Sequence, residues 1–272
     1  MIPRSSRRTH QVSMLNSTRS DSPDDQHWGR YVLGSRGRAK LKAFLRKGPL
    51  LAFDYDGTLA PIEADPRKAF MRDTTKALLK QLAQRFPCVV LSGRARASIF
   101  PLIRSVAIRE VIGNHGLEPS PEQARYARVV RRWMPNLSTS LDKLDGVLIE
   151  NKRYSLAIHY RNAPSRTATM RAIRAALSTL SDARIVGGKC VFNVVPVGAL
   201  HKGVALEQVC HRLGHSSAIY LGDDITDEDV FRYRSRVSVF SIRVGRSRSS
   251  SAQYFLKSQV EMDAFLRLLL AE

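Results

Sequence analysis

The chain alternates between two hydrophobic textures. Short unbroken apolar runs stand at PLLAFD (49–54), CVVLSG (88–93), REVIGNHG (109–116) and SAIYLGDD (217–224). Between them, apolar positions recur every three or four residues. DTTKALLKQLAQRF (73–86) carries Leu78, Leu79 and Leu82 at helical spacing behind Asp73, a candidate N-cap. KGVALEQVCHRLG (202–214), TDEDVFRYR (226–234) and the closing VEMDAFLRLLL (260–270) read as further helices. Buried strand, loop, helix, repeated, predicts an α/β fold around a mainly parallel sheet. In such sheets function collects beyond the carboxyl ends of the strands. The polar tripeptides DYD, SGR, NHG and GDD stand at those ends.

The middle of the chain has another rhythm. Residues 119–145 read as an Arg-rich helix, and VLIENKRYSLAIHYR (147–161) as two strands around a tight turn. RTATMRAIRAALSTL (166–180) is an amphipathic helix, and ARIVGGKCVFNVVP (183–196) a second hairpin turning at Gly187-Gly188. Two hairpins with helices predict an α+β lobe inserted into the α/β domain. The expected division is a core over 41–118 and 200–272, interrupted by the lobe at 119–199. Residues 1–40, basic, polar and without periodicity at the start, are expected to be a disordered extension.

Composition narrows the function classes. At 272 residues and 43% hydrophobic the chain can bury a full core. No apolar run approaches the ~20 residues that span a bilayer, so no membrane association is expected. No apolar segment follows the basic start, so no secretory signal is expected. Cys88, Cys190 and Cys210 are too few and too scattered for a disulfide framework, so a reducing compartment is expected. The net charge of +20 invites a nucleic-acid reading. Residues 1–48 hold +8 of it, with 11 Lys/Arg against three Asp. The remaining basic residues are spread out, with few aromatics among them and no recognisable nucleic-acid motif, so no specific nucleic-acid partner is expected.

The chemistry is concentrated in the tripeptides. DYDGTL (54–59) follows a buried strand directly. An acidic turn built on Gly57 would explain Asp-Gly, but not two Asp spaced by one. Residues i and i+2 at a strand end face one side, so Asp54 and Asp56 are expected to converge and to require a cation. An all-oxygen carboxylate site points to Mg²⁺. GDDITDED (222–229) either decorates a helix N-terminus or supplies Asp223 as a third carboxylate, with Asp224 and Asp227 behind it orienting the ligands. Ser92, Gly93 and Arg94, between a strand and a helix, offer a hydroxyl and backbone N–H groups to an anion. Lys202 is either a surface lysine or an ammonium balancing the carboxylates and a phosphate. A catalytically dead relative would have lost Asp54, Asp56 or Asp223, and all three are present.

DYDGTL, SGR, a lysine at a helix start and GDDITDED, in this order, resemble the four motifs of the haloacid dehalogenase (HAD) superfamily of phosphatases. GNHGLE (113–118), ENKRYSLAIHYR (150–161) and HKGVAL (201–206) are similar to the trehalose-6-phosphate phosphatase branch. The resemblance covers residues 49–272. It implies a Rossmann-like parallel-sheet core with a C2-type cap as the inserted lobe. It implies a phosphoric monoester hydrolase that converts trehalose 6-phosphate to trehalose and phosphate with Mg²⁺, a small-molecule sugar phosphate being its partner. It further implies a cytoplasmic protein, expected to be a monomer.

Carried onto this chain, Asp54 is the nucleophile and Asp56 the general acid and base. Mg²⁺ lies on the Asp54 carboxylate, the Asp56 backbone carbonyl and Asp223. Ser92 and Lys202 take the phosphoryl oxygens. Glu150 and Lys152, spaced by two on a strand, read sugar hydroxyls or form a cross-sheet ion pair, and His159 and Arg161 repeat that spacing. His115 lines the site or braces its loop. Family members often carry Glu and Arg before the lysine helix, in a pattern like GKxVxExRP. Here GKCVFNVVP places Asn193 and Val195 there. That leaves sucrose 6-phosphate and glucosylglycerol phosphate as alternative substrates.

Overall fold

The computed structural model describes residues 30–272 apart from Ala64 and Lys189. A seven-stranded sheet is built from β1 (Arg30–Tyr31), β2 (Leu50–Phe53), β3 (Cys88–Leu91), β4 (Glu110–Ile112), β9 (Ser217–Gly222), β10 (Ser238–Val244) and β11 (Tyr254–Leu256). Its order is β1-β11-β10-β9-β2-β3-β4, and every neighbouring pair is parallel. The chain runs outward from β2 through β3 to β4 on one side, while β9 lies on the other side of β2. The order in which the chain adds strands therefore reverses between β2 and β9, where α/β sheets open a crevice.

The unbroken apolar runs are explained by burial on both faces. Leu51 and Phe53 of β2 face a cluster containing Leu41 of α1 (Ser35–Leu45), Leu79 and Leu82 of α2 (Asp73–Arg85), Ile99 of α3 (Arg96–Ile103), and Phe265, Leu266 and Leu269 of α8 (Met262–Ala271). Leu50 and Ala52 face the opposite cluster, with Leu206, Val209 and Cys210 of α6 (Lys202–Arg212) and Val230 of α7 (Glu228–Phe231). Each fully buried Leu or Phe contributes ~1.5–3 kcal/mol by leaving water, so these two layers carry the core.

The inserted lobe has its own centre. A four-stranded antiparallel sheet runs in the order β5 (Leu148–Asn151), β6 (Leu156–His159), β8 (Val191–Pro196), β7 (Ala183–Gly188). Trp133, Leu137 and Leu141 of α4 (Gln123–Leu141) and Ile173 and Leu177 of α5 (Arg166–Leu177) pack on Leu156, Ile158, Phe192 and Val194. Among the described residues no helix is long and apolar enough to cross a membrane.

Four local expectations are corrected. Of the disordered extension expected over 1–40, residues 1–29 lie outside the described residues, and 30–40 are ordered. The Arg30 and Val32 N–H groups donate to Gln253 O (3.2 Å) and Phe255 O (3.1 Å), and Val32 and Leu41 are buried. Asp73 is the first residue of α2 rather than its cap, Arg72 holding the cap position. Its carboxylate still suits the positive end of the helix. In the second hairpin Gly187 pairs with Phe192 and Gly188 with Val191, so the chain reverses beyond the glycines, with Cys190 at φ 62°. A Cβ at Gly188 would lie 2.7 Å from Val191 Cγ1, so glycine there serves the strand pairing rather than the turn. The helix expected over 226–234 is one 3-10 turn (Ile225–Asp227) followed by the four residues of α7. It ends early because Tyr233 Oη, Ser235 Oγ and the Arg236 N–H all donate to Glu207 of α6, at 2.6–2.9 Å.

Candidate active site

A cavity of about 350 Å³ opens between the carboxyl ends of the parallel strands and the lobe. Asp54, Asp56, Gly93, Arg94, His115, Lys202, Asp223 and Asp224 line its floor, and Glu150, Lys152, His159, Arg161 and Asn193 face it from the lobe. Ile62, Glu63, Arg67, Ser98, Val191 and Thr226 complete the wall, and no sequence pattern had marked them. The site residues expected from separate stretches of the chain are thus brought together at one cavity, apart from Ser92 and Asp227. Ser92 is buried outside the cavity wall, where its Oγ accepts from the Arg94 N–H at 3.1 Å.

On the floor, Asp54 directly follows β2 and its N–H donates to Leu221 O of β9 at 2.8 Å. Lys202, the first residue of α6, is 1% exposed. It is therefore no surface lysine. Its Nζ donates to Asp54 Oδ1 (2.8 Å) and to Asp227 Oδ1 (2.7 Å). Asp54, Asp223 and Asp227 each offer an oxygen within 4.8 Å of the others. Burial works against the Lys202 charge, but Asp227 and Asp54 more than offset it, and its pKa is raised. One ammonium cannot balance three carboxylates. Burial first, and then the charges of Asp227 and Asp223, raise the Asp54 carboxyl well above its ordinary range despite Lys202. A dry cluster with surplus negative charge is suited to a cation.

Asp227 is the carboxylate least available to such a cation. Its Oδ1 accepts from Lys202 and from Tyr220 Oη (2.6 Å), and its Oδ2 from the Asp224 N–H (2.8 Å). Tyr220, on β9, went unnoticed in the sequence because an aromatic inside an apolar run reads as core. Arg243 of β10 also escaped notice. Its guanidinium donates to Asp223 O at 2.6 Å and holds the loop that carries Asp223 and Asp224. Gly57, at φ +78°, is required here: a Cβ would stand 2.3 Å from the Asp223 carboxylate.

The expected convergence of Asp54 and Asp56 does not occur through their side chains. Both Asp56 oxygens accept from Arg94, Oδ2 from Nε at 2.7 Å and Oδ1 from Nη2 at 2.6 Å. This bidentate pair fixes the Asp56 carboxylate on Arg94 and commits Arg94, expected to face phosphate, to a carboxylate instead. Alternation at a strand end misjudged this because Asp56 already lies in the turn that Gly57 closes.

His115, at φ 57° in the loop after β4, lies fully in the wall, and its ring packs where a Gly93 Cβ would be, 2.4 Å from Cε1. Burial, followed by the charges of Lys152 and Lys202, lowers its pKa well below the ordinary histidine value. It is a neutral ring that both lines the cavity and braces the loop. The lobe side is wetter. The His159 imidazole of β6 donates to Glu150 Oε2 of the neighbouring strand β5 at 2.9 Å. Burial would raise the Glu150 pKa, but His159, Lys152 and Arg94 hold it below the ordinary value. Lys152 does not pair with Glu150; its Nζ donates to Gly93 O on the floor at 3.0 Å. Burial lowers its pKa, with Glu150 and Asp56 partly restoring the charge.

Residues 52–260 match the family model described as trehalose-phosphatase. A probable trehalose-phosphate phosphatase of Oryza sativa subsp. japonica is 29% identical over 293 residues, covering 92% of this chain and 77% of the relative. Among solved structures, the Candida albicans trehalose-6-phosphate phosphatase C-terminal domain has a TM-score of 0.68 at 21% identity, covering 90% of this chain and 98% of that one. A structure of Aspergillus fumigatus trehalose-6-phosphate phosphatase has a TM-score of 0.59 at 26% identity, covering 90% of this chain and all of the other.

Proposed function

This chain belongs to the trehalose-phosphatase family, and from that premise we propose that it hydrolyses trehalose 6-phosphate to trehalose and inorganic phosphate through a covalent aspartyl-phosphate, with Mg²⁺ as its metal. The observation that carries the reading is the buried Lys202 bridging Asp54 and Asp227 beside Asp223, at the floor of a cavity that Glu150 and Lys152 roof.

The carboxylates of Asp54 and Asp223 and the backbone carbonyl of Asp56 are the groups that would hold the metal. An all-oxygen set fits a hard divalent cation, and the surplus negative charge of the cluster fits its charge. Bound there, the cation supplies positive charge that neutralises the phosphoryl oxygens. Asp227, Tyr220 and Arg243 keep the ligand loop in place from behind.

Asp54 attacks phosphorus, the bond from phosphorus to the sugar oxygen breaks, and a proton from Asp56 goes to that oxygen as trehalose leaves. Water then attacks the aspartyl-phosphate, giving its proton to Asp56, and phosphate and free Asp54 are formed. Both Asp56 oxygens start out bonded to Arg94, so one of these bonds opens when Asp56 engages the leaving group. Lys202 holds the Asp54 oxygen and faces the incoming phosphoryl group; Gly93 and Ser92 shape the turn beside it. Glu150, Lys152, His159, Arg161 and Asn193 meet the sugar, and lobe contact with the floor excludes water. Phosphate release measured over trehalose 6-phosphate, glucose 6-phosphate, sucrose 6-phosphate and glucosylglycerol phosphate, with Mg²⁺ and after chelation, tests the reading. Trehalose 6-phosphate is expected to win and chelation to abolish turnover. A clear preference for another member overturns the substrate, and full activity after chelation overturns the metal.

A further inference from the structure

We propose that Asn114 is a positioning residue: it pins the sugar-facing turn of the lobe to the phosphate side of the floor. Asn114 is completely buried, in the left-handed region at φ 51°, in the loop after β4. Asparagine is among the few residues other than glycine that tolerate this backbone. Its side chain points out of the core into the lobe. Oδ1 accepts from Ser155 Oγ at 2.5 Å, and Nδ2 donates to Lys152 O at 2.9 Å. Ser155 and Lys152 close the turn between β5 and β6, where the Lys152 N–H donates to Ser155 O at 3.0 Å. The same Nδ2 also donates to the Glu118 carboxylate. Glu118 in turn accepts from the Arg96 N–H, at 3.2 Å, at the start of α3. That helix begins just after Ser92-Gly93-Arg94.

Lys152 is therefore gripped at both ends. Its carbonyl is held by Asn114 and its ammonium by Gly93 O. An amide side chain offers two donor hydrogens and one acceptor oxygen, and Asn114 spends both kinds across the boundary between floor and lobe. A side chain that only stabilised its own loop would spend them within it. Moving Asn114 moves the turn that carries Lys152 and, two residues away, Glu150. The Asn114 side chain makes no hydrogen bond to Asp54, which Lys202 holds, or to Asp56, which Arg94 holds. The pin should thus govern how well the lobe holds a sugar, and not how fast the floor cleaves a phosphate ester.

The inference rests on the reading that Glu150 and Lys152 meet the sugar. The test compares kcat/KM for trehalose 6-phosphate with kcat/KM for p-nitrophenyl phosphate, which has no sugar, in the full chain with Mg²⁺. Ser155→Ala removes one cross-boundary bond, and Asn114→Asp keeps the shape but replaces the amide donor with an oxygen. The ratio of the two specificity constants is expected to fall about fivefold in Ser155→Ala and at least about tenfold in Asn114→Asp, through KM for the sugar phosphate. p-Nitrophenyl phosphate hydrolysis is expected to stay within about twofold. Equal losses on both substrates mean a structural role and overturn the pin. Lys152→Ala separates the two ideas. If it lowers the ratio while Ser155→Ala and Asn114→Asp do not, the pin fails alone. If Lys152→Ala leaves the ratio unchanged, the sugar-facing role of Lys152 fails and the pin with it.

Discussion

Lys202 and its two partners on the floor have side-chain exposures of 2%, 6% and 0%, whereas the His159–Glu150 pair of the lobe stands at 35% and 46%. Both are ion-pair geometries at under 3 Å. On the floor the charges have no water to return to, so Asp54 and Asp227 depend on the Lys202 ammonium, and removing it would strand both. In the lobe, solvent screens the pair, and exposed pairs contribute only ~0–1 kcal/mol. The floor's charges are paired with one another away from water, whereas the lobe's pair keeps its contact with solvent.

Asp54→Asn breaks this contrast most severely. Phosphate release should fall at least about a thousandfold while the melting temperature does not drop, since one of three crowded carboxylates becomes neutral. Retention of more than a few per cent of activity would remove Asp54 as nucleophile. Lys202→Ala comes next. With Asp54 and Asp227 left buried without their ammonium, a stability loss of ~3–5 kcal/mol is expected in a denaturant titration. A loss below 1 kcal/mol would show that the floor is wetter than its burial indicates.

The lobe counterpart is milder. Glu150→Gln should raise KM for the preferred sugar phosphate about tenfold while stability stays within about 0.5 kcal/mol. A change in kcat alone would move Glu150 into the chemistry. The smallest effect concerns His115. Its folded-state pKa lies well below 6.5, so under about pH 6.5 the unfolded chain takes up a proton that the folded chain refuses. Stability therefore rises with pH through that window and falls as acid is added, by at most ~1.4 kcal/mol per pH unit from this group. His115→Gln should flatten that slope in denaturant titrations between about pH 5 and 7, and an unchanged slope would place the proton elsewhere.

Much of this arrangement was legible in local pattern. Parallel strands buried on both faces announce themselves as unbroken runs, and a polar tripeptide at the end of such a run has only the crevice to face. Asp54 and Asp223 were therefore readable, and so was the inserted α+β lobe, while Lys202, at a helix start, stayed open between a surface lysine and a balancing ammonium. The partners were not. Whether Asp56 turns to Asp54 or to Arg94 depends on a loop 38 residues away, and no spacing rule reaches that far. Tyr220 and Arg243 are hidden inside strands, and Asn114 shows its role only when the lobe is folded over it. The two-residue β1 is too short for any periodicity and exists because β11 offers it an edge.

The strand order has a consequence for how the protein is made. The central strand β2 is flanked by β3, which follows soon after, and by β9, which is synthesised only after the whole lobe. The edge strand β1 must wait longer still, for β11. The lobe, contiguous in sequence, can close on its own core while the first half of the large sheet is still missing a neighbour. Pairings this distant in sequence form slowly and leave apolar edges open in the meantime. During synthesis β2 is thus the segment most in need of shielding, and it is the same strand that leads directly into Asp54.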